Sequence, residues 1–153
     1  MTSRANYFVL AAKGMEILMN QESYLRAQFS ISETLTIPVW ELVKLRVSQM
    51  NQCAFCIDMH SKDALSQGEA NDRIIGLNAW RDMPFYSKVE RAALEWAEHL
   101  TLGKPVVDDV YQGAVEVLGE QAVVDLTLAV NAINSWNRIA KSFKPEVGSY
   151  KPQ

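Results

Sequence analysis

Cysteine and histidine are scarce in this sequence, which has two of each among its 153 residues. Long apolar runs are also missing. The longest run near the N-terminus, residues 7–12, ends at Lys13 before it reaches the length of a signal-peptide core. No segment approaches the roughly 18–20 apolar residues of a membrane-spanning helix. We therefore expect a cytoplasmic protein without a membrane partner.

The sequence has no surplus of positive charge. Lys and Arg number 15 against 18 Asp and Glu, which gives a formal net charge of −3, and both signs are interspersed along the chain. A protein that neutralises phosphates carries its basic residues on one face or stripe, and none is evident here. We therefore expect no nucleic-acid partner.

Internal repeats and linkers rich in Gly, Pro or Ser are absent as well. The composition, 48% hydrophobic and 22% charged, is that of an ordinary globular protein. We therefore expect one domain that spans residues 1–153.

The hydrophobic pattern is helical throughout, and strand-like alternation does not occur over any useful length. In residues 88–102, for example, apolar side chains recur at intervals of three and four, and Ser87 with Glu90 fits a capping box before them. The pattern predicts an all-α fold of six or seven helices, at about 4–19, 38–50, 53–67, 70–81, 88–102, 108–118 and 121–142.

The last predicted helix is apolar on almost every side. Between residues 123 and 133 its only charged residue is Asp125. Such a helix lies either in the centre of the core or at a contact between subunits. We favour a homo-oligomer because a domain of this size has little interior, and a buried helix in a monomer is the alternative.

Both cysteines lie in one short stretch, NQCAFCIDMHSKDA, at residues 51–64. On a helix Cys53, Cys56 and His60 share one face, because they are spaced at i, i+3 and i+7. Residues three apart on a helix bring their Cα atoms to about 5–6 Å, which a disulfide tolerates. In a reducing compartment this spacing indicates redox or metal chemistry more than a permanent crosslink.

A chain break at Asn51 would enlarge this site. Asn tolerates the left-handed conformation that ends a helix, so a new helix could begin near Cys53, where its dipole lowers the pKa of the thiols. If the two helices fold back on each other, Glu41 comes opposite His60. In one continuous helix Glu41 and Cys56 would be about 22 Å apart. The hairpin thus predicts a carboxylate–imidazole–thiol relay.

Three interpretations of the stretch compete: a redox site, a metal site and inert packing of small apolar thiols. A structural zinc needs four ligands, and Glu41 is the only evident candidate outside the stretch. A thioredoxin-like site would need a βαβ pattern, which is absent. We favour the redox site and expect neither a metal nor a cofactor. His99 lies on the charged side of its helix, so we expect it to be solvated or hydrogen-bonded outside the site.

The spacing of these residues resembles a known pattern. Glu41, then Cys53 twelve residues on, then CxxC, then His60 four residues after the second cysteine, is similar to the site of the alkylhydroperoxidase D-like branch of the carboxymuconolactone decarboxylase superfamily. The surrounding text, ELVKLRVSQMNQCAFCIDMHSKDA, resembles the core of that branch. Two later segments, ERAALEWAEHLT and LTLAVNAINSWNR, resemble its downstream helices, so the likeness covers about residues 35–140.

The resemblance implies an all-helical fold with the CxxC at the N-terminus of a central helix, assembly into trimers or hexamers, and a peroxiredoxin-type antioxidant activity. By this likeness Cys56 attacks the hydroperoxide, Cys53 resolves the sulfenic acid as a disulfide, and Glu41 and His60 relay protons. An external dithiol of lipoyl or thioredoxin type would then reduce the disulfide. The dipole argument alone would favour Cys53 as the more acidic thiol, and on this point we follow the family pattern.

Two features set limits on what the resemblance implies. Members of the branch can carry a histidine between the cysteines, where this chain has Phe55, so we expect weaker activity. The decarboxylase branch lacks the cysteine pair, so its reaction is not expected here. A redox sensor or thiol–disulfide relay with little peroxidase turnover is the alternative function.

Overall fold

The computed structural model describes residues 4–152, and within them the regular structure is entirely helical. The predicted all-α fold class is therefore confirmed. The helices are α1 (Tyr7–Leu10), α2 (Ala12–Ile31), α3 (Ile37–Met50), α4 (Ala54–Ser66), α5 (Asn71–Gly76), α6 (Lys88–Thr101), α7 (Asp108–Leu118) and α8 (Glu120–Phe143), with a 3₁₀ turn at Leu77–Ala79 after α5.

Two helices form the centre of the fold. The α3 helix packs against α4, α6 and α8, and the α8 helix also contacts α2, α6 and α7. Leu126, Val130 and Ile133 of α8 are buried, as the apolar pattern of residues 123–133 predicts, whereas Val124 is 55% exposed. The apolar stretch is thus a core helix, and the contact between subunits stays a prediction.

The N-terminal region differs from the helix predicted at residues 4–19. The helix starts at Tyr7, after Asn6 caps it with a side chain that accepts from the Val9 N–H at 3.3 Å. It is interrupted at Ala11, and the second segment continues to Ile31. The prediction that helix ends at residue 19 is wrong because most of α2 is solvent-exposed and lacks a dense apolar period.

The remaining helix boundaries agree with the pattern to within a few residues, except that 70–81 is divided between α5 and the 3₁₀ turn. The capping box before α6 is present: the Ser87 Oγ accepts from the Glu90 N–H at 3.2 Å, and the Ser87 N–H donates to Glu90 Oε2 at 2.7 Å. Among residues 4–152 no helix combines the length and apolar character needed to cross a bilayer.

Candidate functional site

The turn between α3 and α4 places the CxxC at the start of a helix. The chain reverses at Gln52, whose φ of 53° is left-handed, while Asn51 is right-handed with φ −81°. The expectation that Asn51 adopts the left-handed conformation is therefore wrong. The Asn51 side chain instead holds the turn against α8, because its Nδ2 donates to Asn134 Oδ1 at 3.0 Å and to Asn137 Oδ1 at 2.9 Å.

The two cysteines form a disulfide at this turn, with their Cα atoms 5.3 Å apart. Cys53 is the N-cap of α4, and its Sγ accepts from the Cys56 backbone N–H at 3.4 Å. Both side chains are almost completely buried, with 1% of Cys53 and 3% of Cys56 exposed. The pairing that the spacing permits is thus present, at the positive end of the helix dipole.

The helical hairpin brings Glu41 and His60 together, as the break in the chain predicts. His60 Nδ1 lies 2.6 Å from Glu41 Oε1, and both side chains are buried. This bond fixes the orientation of the imidazole ring. The other ring nitrogen, Nε2, takes no part in the bond to Glu41.

Lys44 also belongs to this cluster, and the sequence interpretation missed it. Its Nζ lies 2.8 Å from Glu41 Oε2 and 3.9 Å from the centre of the Trp40 ring. Burial raises the pKa of Glu41, but the hydrogen bond with His60 and the charge of Lys44 lower it by more, so the pKa lies below its ordinary value. Glu41 is therefore an anion at neutral pH. The i, i+3 spacing of Glu41 and Lys44 was the available signal.

A cavity of about 460 Å³ lies beside the disulfide. Of the two cysteines only Cys56 lines it, together with His60. Its other walls are largely aromatic and apolar and come from α1, α2, α4, α8 and the C-terminal segment: Tyr7, Phe8, Met19, Phe55, Met59, Ile133, Trp136, Ala140 and Tyr150. A small apolar molecule that enters this cavity reaches Cys56 and not Cys53.

Asp63 and Tyr150 also line the cavity, and neither was expected from the sequence. The Tyr150 hydroxyl donates to Asp63 Oδ1 at 2.7 Å. Asp63, Glu41 and His60 place potential metal-ligand atoms within 4.8 Å of one another. The ammonium of Lys44 pairs with Glu41 and so disfavours a second cation on that carboxylate. The signal for Asp63 was its position three residues after His60, whereas nothing in the pattern indicated Tyr150.

His99 lies outside this cluster, as expected. Its Nε2 donates to the Pro105 carbonyl at 2.7 Å, and it lines a separate groove between α6 and α7. The sequence-predicted residues Glu41, Cys53, Cys56 and His60 are thus together in one place, and Lys44, Asp63 and Tyr150 extend the group.

Known proteins are similar to this chain in sequence. The model of the carboxymuconolactone decarboxylase family matches residues 21–99. The uncharacterized protein YdfG of Bacillus subtilis is 49% identical over 142 residues, which cover 92% of this chain and 93% of YdfG. The uncharacterized protein YnjA of Escherichia coli is 33% identical over 97 residues, covering 63% of this chain and 53% of YnjA. The chain belongs to the carboxymuconolactone decarboxylase family.

Solved structures with a similar fold indicate the branch of this family. A protein of unknown function from Agrobacterium tumefaciens, proposed as the antioxidant defence protein AhpD, superimposes with a TM-score of 0.83 at 33% identity over 99% of both chains. An uncharacterized peroxidase-related protein from Silicibacter shares the fold, with a TM-score of 0.79 at 15% identity over 90% of this chain and 72% of its own. Within the family, this chain is of the alkylhydroperoxidase D-like branch.

Proposed function

We propose that the protein is a thiol peroxidase that reduces apolar organic hydroperoxides with Cys56 as the attacking thiol. One observation carries the proposal: Cys56 is the cysteine that faces the cavity, beside an imidazole oriented by a buried carboxylate. The Cys53–Cys56 disulfide is then the oxidised form of the site. A nucleophile, a base and a group that orients the base are the parts that such chemistry needs.

The reaction begins with the reduced pair. His60 accepts the Cys56 proton, and the thiolate attacks the distal oxygen of ROOH, so that an S–O bond forms while the O–O bond breaks. The proton held by His60 passes to the leaving alkoxide to give ROH. Cys53 then attacks the Cys56 sulfenic acid, and the disulfide forms with release of water.

Glu41 supports this proton transfer in two ways. Its carboxylate lies 2.6 Å from His60 Nδ1, so it holds the ring with Nε2 available for the thiol and the substrate. Its negative charge also stabilises the imidazolium that forms. Lys44 keeps Glu41 ionised within the core, at 2.8 Å from the other carboxylate oxygen.

The cavity indicates the class of substrate. Its volume of about 460 Å³ is many times the roughly 30 Å³ that a water molecule takes up. Its walls are mainly apolar, so water gains little there, whereas an alkyl or aryl group buries its surface. We therefore expect organic hydroperoxides to react faster than hydrogen peroxide. Phe55, at the position where relatives can carry a histidine, adds to the apolar wall and supplies no proton.

Regeneration requires an external dithiol, of lipoyl or thioredoxin type. Because Cys53 is only 1% exposed while Cys56 lines the cavity, the dithiol should attack Cys56 and expel Cys53 as the leaving thiolate. The Cys56 N–H and the helix dipole stabilise negative charge on the Cys53 sulfur, and a more stable thiolate leaves faster. The dipole argument that favours an acidic Cys53 thus fits its part as the leaving group.

The test combines kinetics with intact mass. Reduced protein treated with one equivalent of cumene hydroperoxide should lose two hydrogens within residues 53–56, and should turn over with excess dithiol. Without dithiol, Cys53→Ser should instead gain one oxygen at Cys56 and stop after one equivalent. Cys56→Ser should consume no hydroperoxide. Undiminished turnover in Cys56→Ser would refute the proposal.

The same experiment separates the alternative, a redox sensor or thiol–disulfide relay. A sensor would form the disulfide readily but return to the thiol form only slowly with any small dithiol. The cavity of about 460 Å³ beside Cys56 favours the peroxidase, because it gives a small substrate a place next to the attacking cysteine. We therefore expect repeated turnover.

A further inference from the structure

The C-terminal segment 146–151 is tied to α4 beside the cavity. Lys62 Nζ donates to the carbonyl oxygens of Gly148 and Tyr150 at 3.4 and 3.1 Å. The Gly148 N–H donates to Asp58 Oδ2 at 3.2 Å, and Lys62 forms an ion pair with the same Asp58 oxygen at 2.9 Å. These contacts fix the backbone that carries the Tyr150 side chain.

Tyr150 uses this anchorage to hold a carboxylate of the site. Its hydroxyl donates to Asp63 Oδ1 at 2.7 Å, and both side chains line the cavity with Cys56 and His60. Burial and the hydrogen bond to Asp63 raise the pKa of the Tyr150 phenol to about 12. The phenol therefore remains a donor to Asp63 at neutral pH.

Asp63 acts more strongly on His60 than on Cys56. One of its oxygens lies within 4.8 Å of ligand atoms of both Glu41 and His60. Along α4 it is three residues from His60 but seven from Cys56, which is about 10 Å of helix axis. Because the interaction of charges falls with distance, its negative charge stabilises the imidazolium more than it repels the thiolate.

We propose that Asp63 and Tyr150 are positioning residues that set the fraction of Cys56 present as thiolate. Asp63 stabilises the imidazolium–thiolate pair of His60 and Cys56. Tyr150 fixes the Asp63 carboxylate and withdraws part of its charge by hydrogen bonding. The proposal adds a site member from outside residues 21–99, the segment that the family model matches. The part given to Asp63 and Tyr150 rests on the proposed peroxidase function, but the thiolate fraction of Cys56 can be measured without any peroxidase activity.

Other charged or titratable groups also face the cavity, and they must stay constant in the test. They come from α1, α2 and α3, while α8 contributes no titratable side chain to the described cavity wall. Glu22 accepts a hydrogen bond from Trp136 Nε1 at 2.9 Å, which holds it in place. The groups are Tyr7 of α1, Glu22 and Arg26 of α2, and Lys44 of α3, which pairs with the buried Glu41.

The experiment follows the thiolate itself. In the Cys53→Ser background, the ultraviolet absorbance of the Cys56 thiolate is titrated against pH in the reduced protein. Asp63→Asn should raise the apparent pKa of Cys56 by about one pH unit, because the imidazolium loses a nearby anion. Tyr150→Phe should shift it the opposite way. In the Asp63→Asn background, Tyr150→Phe should have no further effect, because Tyr150 acts through Asp63.

A matched control removes the same kind of bond elsewhere. The Tyr24 hydroxyl donates to Asp125 Oδ1 at 2.9 Å, and neither residue lines the cavity, so Tyr24→Phe should leave the Cys56 titration unchanged. An unchanged titration in Asp63→Asn would overturn the proposal, as would an equal effect of Tyr150→Phe with Asn at position 63. Loss of these shifts is distinct from loss of peroxidase turnover, since the titration needs no hydroperoxide.

Discussion

Glu41 links the stability of the core to the proposed chemistry, so its removal should impair both. It is 2% exposed, and its two oxygens lie 2.6 Å from His60 Nδ1 and 2.8 Å from Lys44 Nζ. In Glu41→Gln the shape of the side chain is kept but its charge is lost. Lys44 is then buried without a counter-charge, and His60 loses the anion that stabilises its protonated form.

The structure sets the size of both effects. Removal of one partner from a buried ion pair costs about 3–5 kcal/mol. We expect about 3 kcal/mol because the amide oxygen still accepts one hydrogen bond, and this is a large part of a typical total stability of about 5–15 kcal/mol. Proton transfer by a positioned base contributes about 10²- to 10⁴-fold to a rate. We therefore expect Cys56 to be oxidised about 10²-fold more slowly.

Glu98 provides the control because it is a buried carboxylate away from the cysteines. It is 6% exposed and accepts from Trp80 Nε1, Arg46 Nε and Arg81 Nη1 at 2.8, 2.7 and 2.5 Å. Glu98→Gln should destabilise the fold by a comparable amount and leave the oxidation rate as in the wild type. It thereby separates a loss of stability from a loss of chemistry.

Urea unfolding gives the free energy of each variant, and single-turnover oxidation of the reduced protein by cumene hydroperoxide gives the rate constant. Both are measured where wild type and variants are fully folded. Oxidation of reduced Glu41→Gln at the wild-type rate would refute the proton relay. An equal slowing in Glu98→Gln would show that the effect on rate comes through stability alone.

Three further predictions concern the fold. Burial raises the pKa of both Glu41 and Glu98, but their hydrogen bonds and neighbouring cations lower it by more. Their contribution to stability is therefore present above the unfolded pKa of about 4.3 and is lost as pH falls through the folded value. Urea unfolding across acidic pH should show a smaller loss of stability in the Glu41→Gln, Glu98→Gln double variant than in the wild type, and parallel stability curves for the two proteins would contradict this. Asn137→Ala should cost about 2 kcal/mol in urea unfolding, because it removes one buried hydrogen bond with the Asn51 amide and one with the Ser48 hydroxyl, each worth about 1 kcal/mol. A cost below that of an ordinary surface substitution would show that water replaces these bonds. Ser87→Ala should lower the melting temperature through the loss of about 1 kcal/mol of capping and leave Cys56 oxidation unchanged, and slower oxidation would contradict a purely structural part for this cap.

A helix could be predicted from the sequence where one of its faces is buried and the opposite face is exposed to solvent. The α6 helix is an example, because its apolar stripe and its capping box agree about where it begins. The continuation of α2 to Ile31 could not be predicted in the same way. Leu25 and Phe29 are its buried residues, and two anchors over 20 residues do not make a detectable period.

The candidate site was predictable as far as local spacing reaches. Cys53, Cys56 and His60 follow from one helical face, and Glu41 follows from the hairpin, although the left-handed residue of its turn is Gln52 and not Asn51. Tyr150 is brought to α4 by a fold-back of the chain end, 87 residues away from its partner Asp63. No period or motif in a single sequence encodes such a contact.

The first half of α2 has a consequence for access to the sulfur. None of residues 12–24 is buried, yet Met19, with Tyr7 and Phe8 of α1, walls the cavity that leads to Cys56. Segments with few buried contacts open locally at a small fraction of the free energy of global unfolding. Local opening of the cavity wall and the stability of the core should therefore depend on different residues. A substitution that weakens the core should lower the melting temperature without making Cys56 easier for a small molecule to reach. A substitution in α1 should make Cys56 easier to reach without lowering the melting temperature.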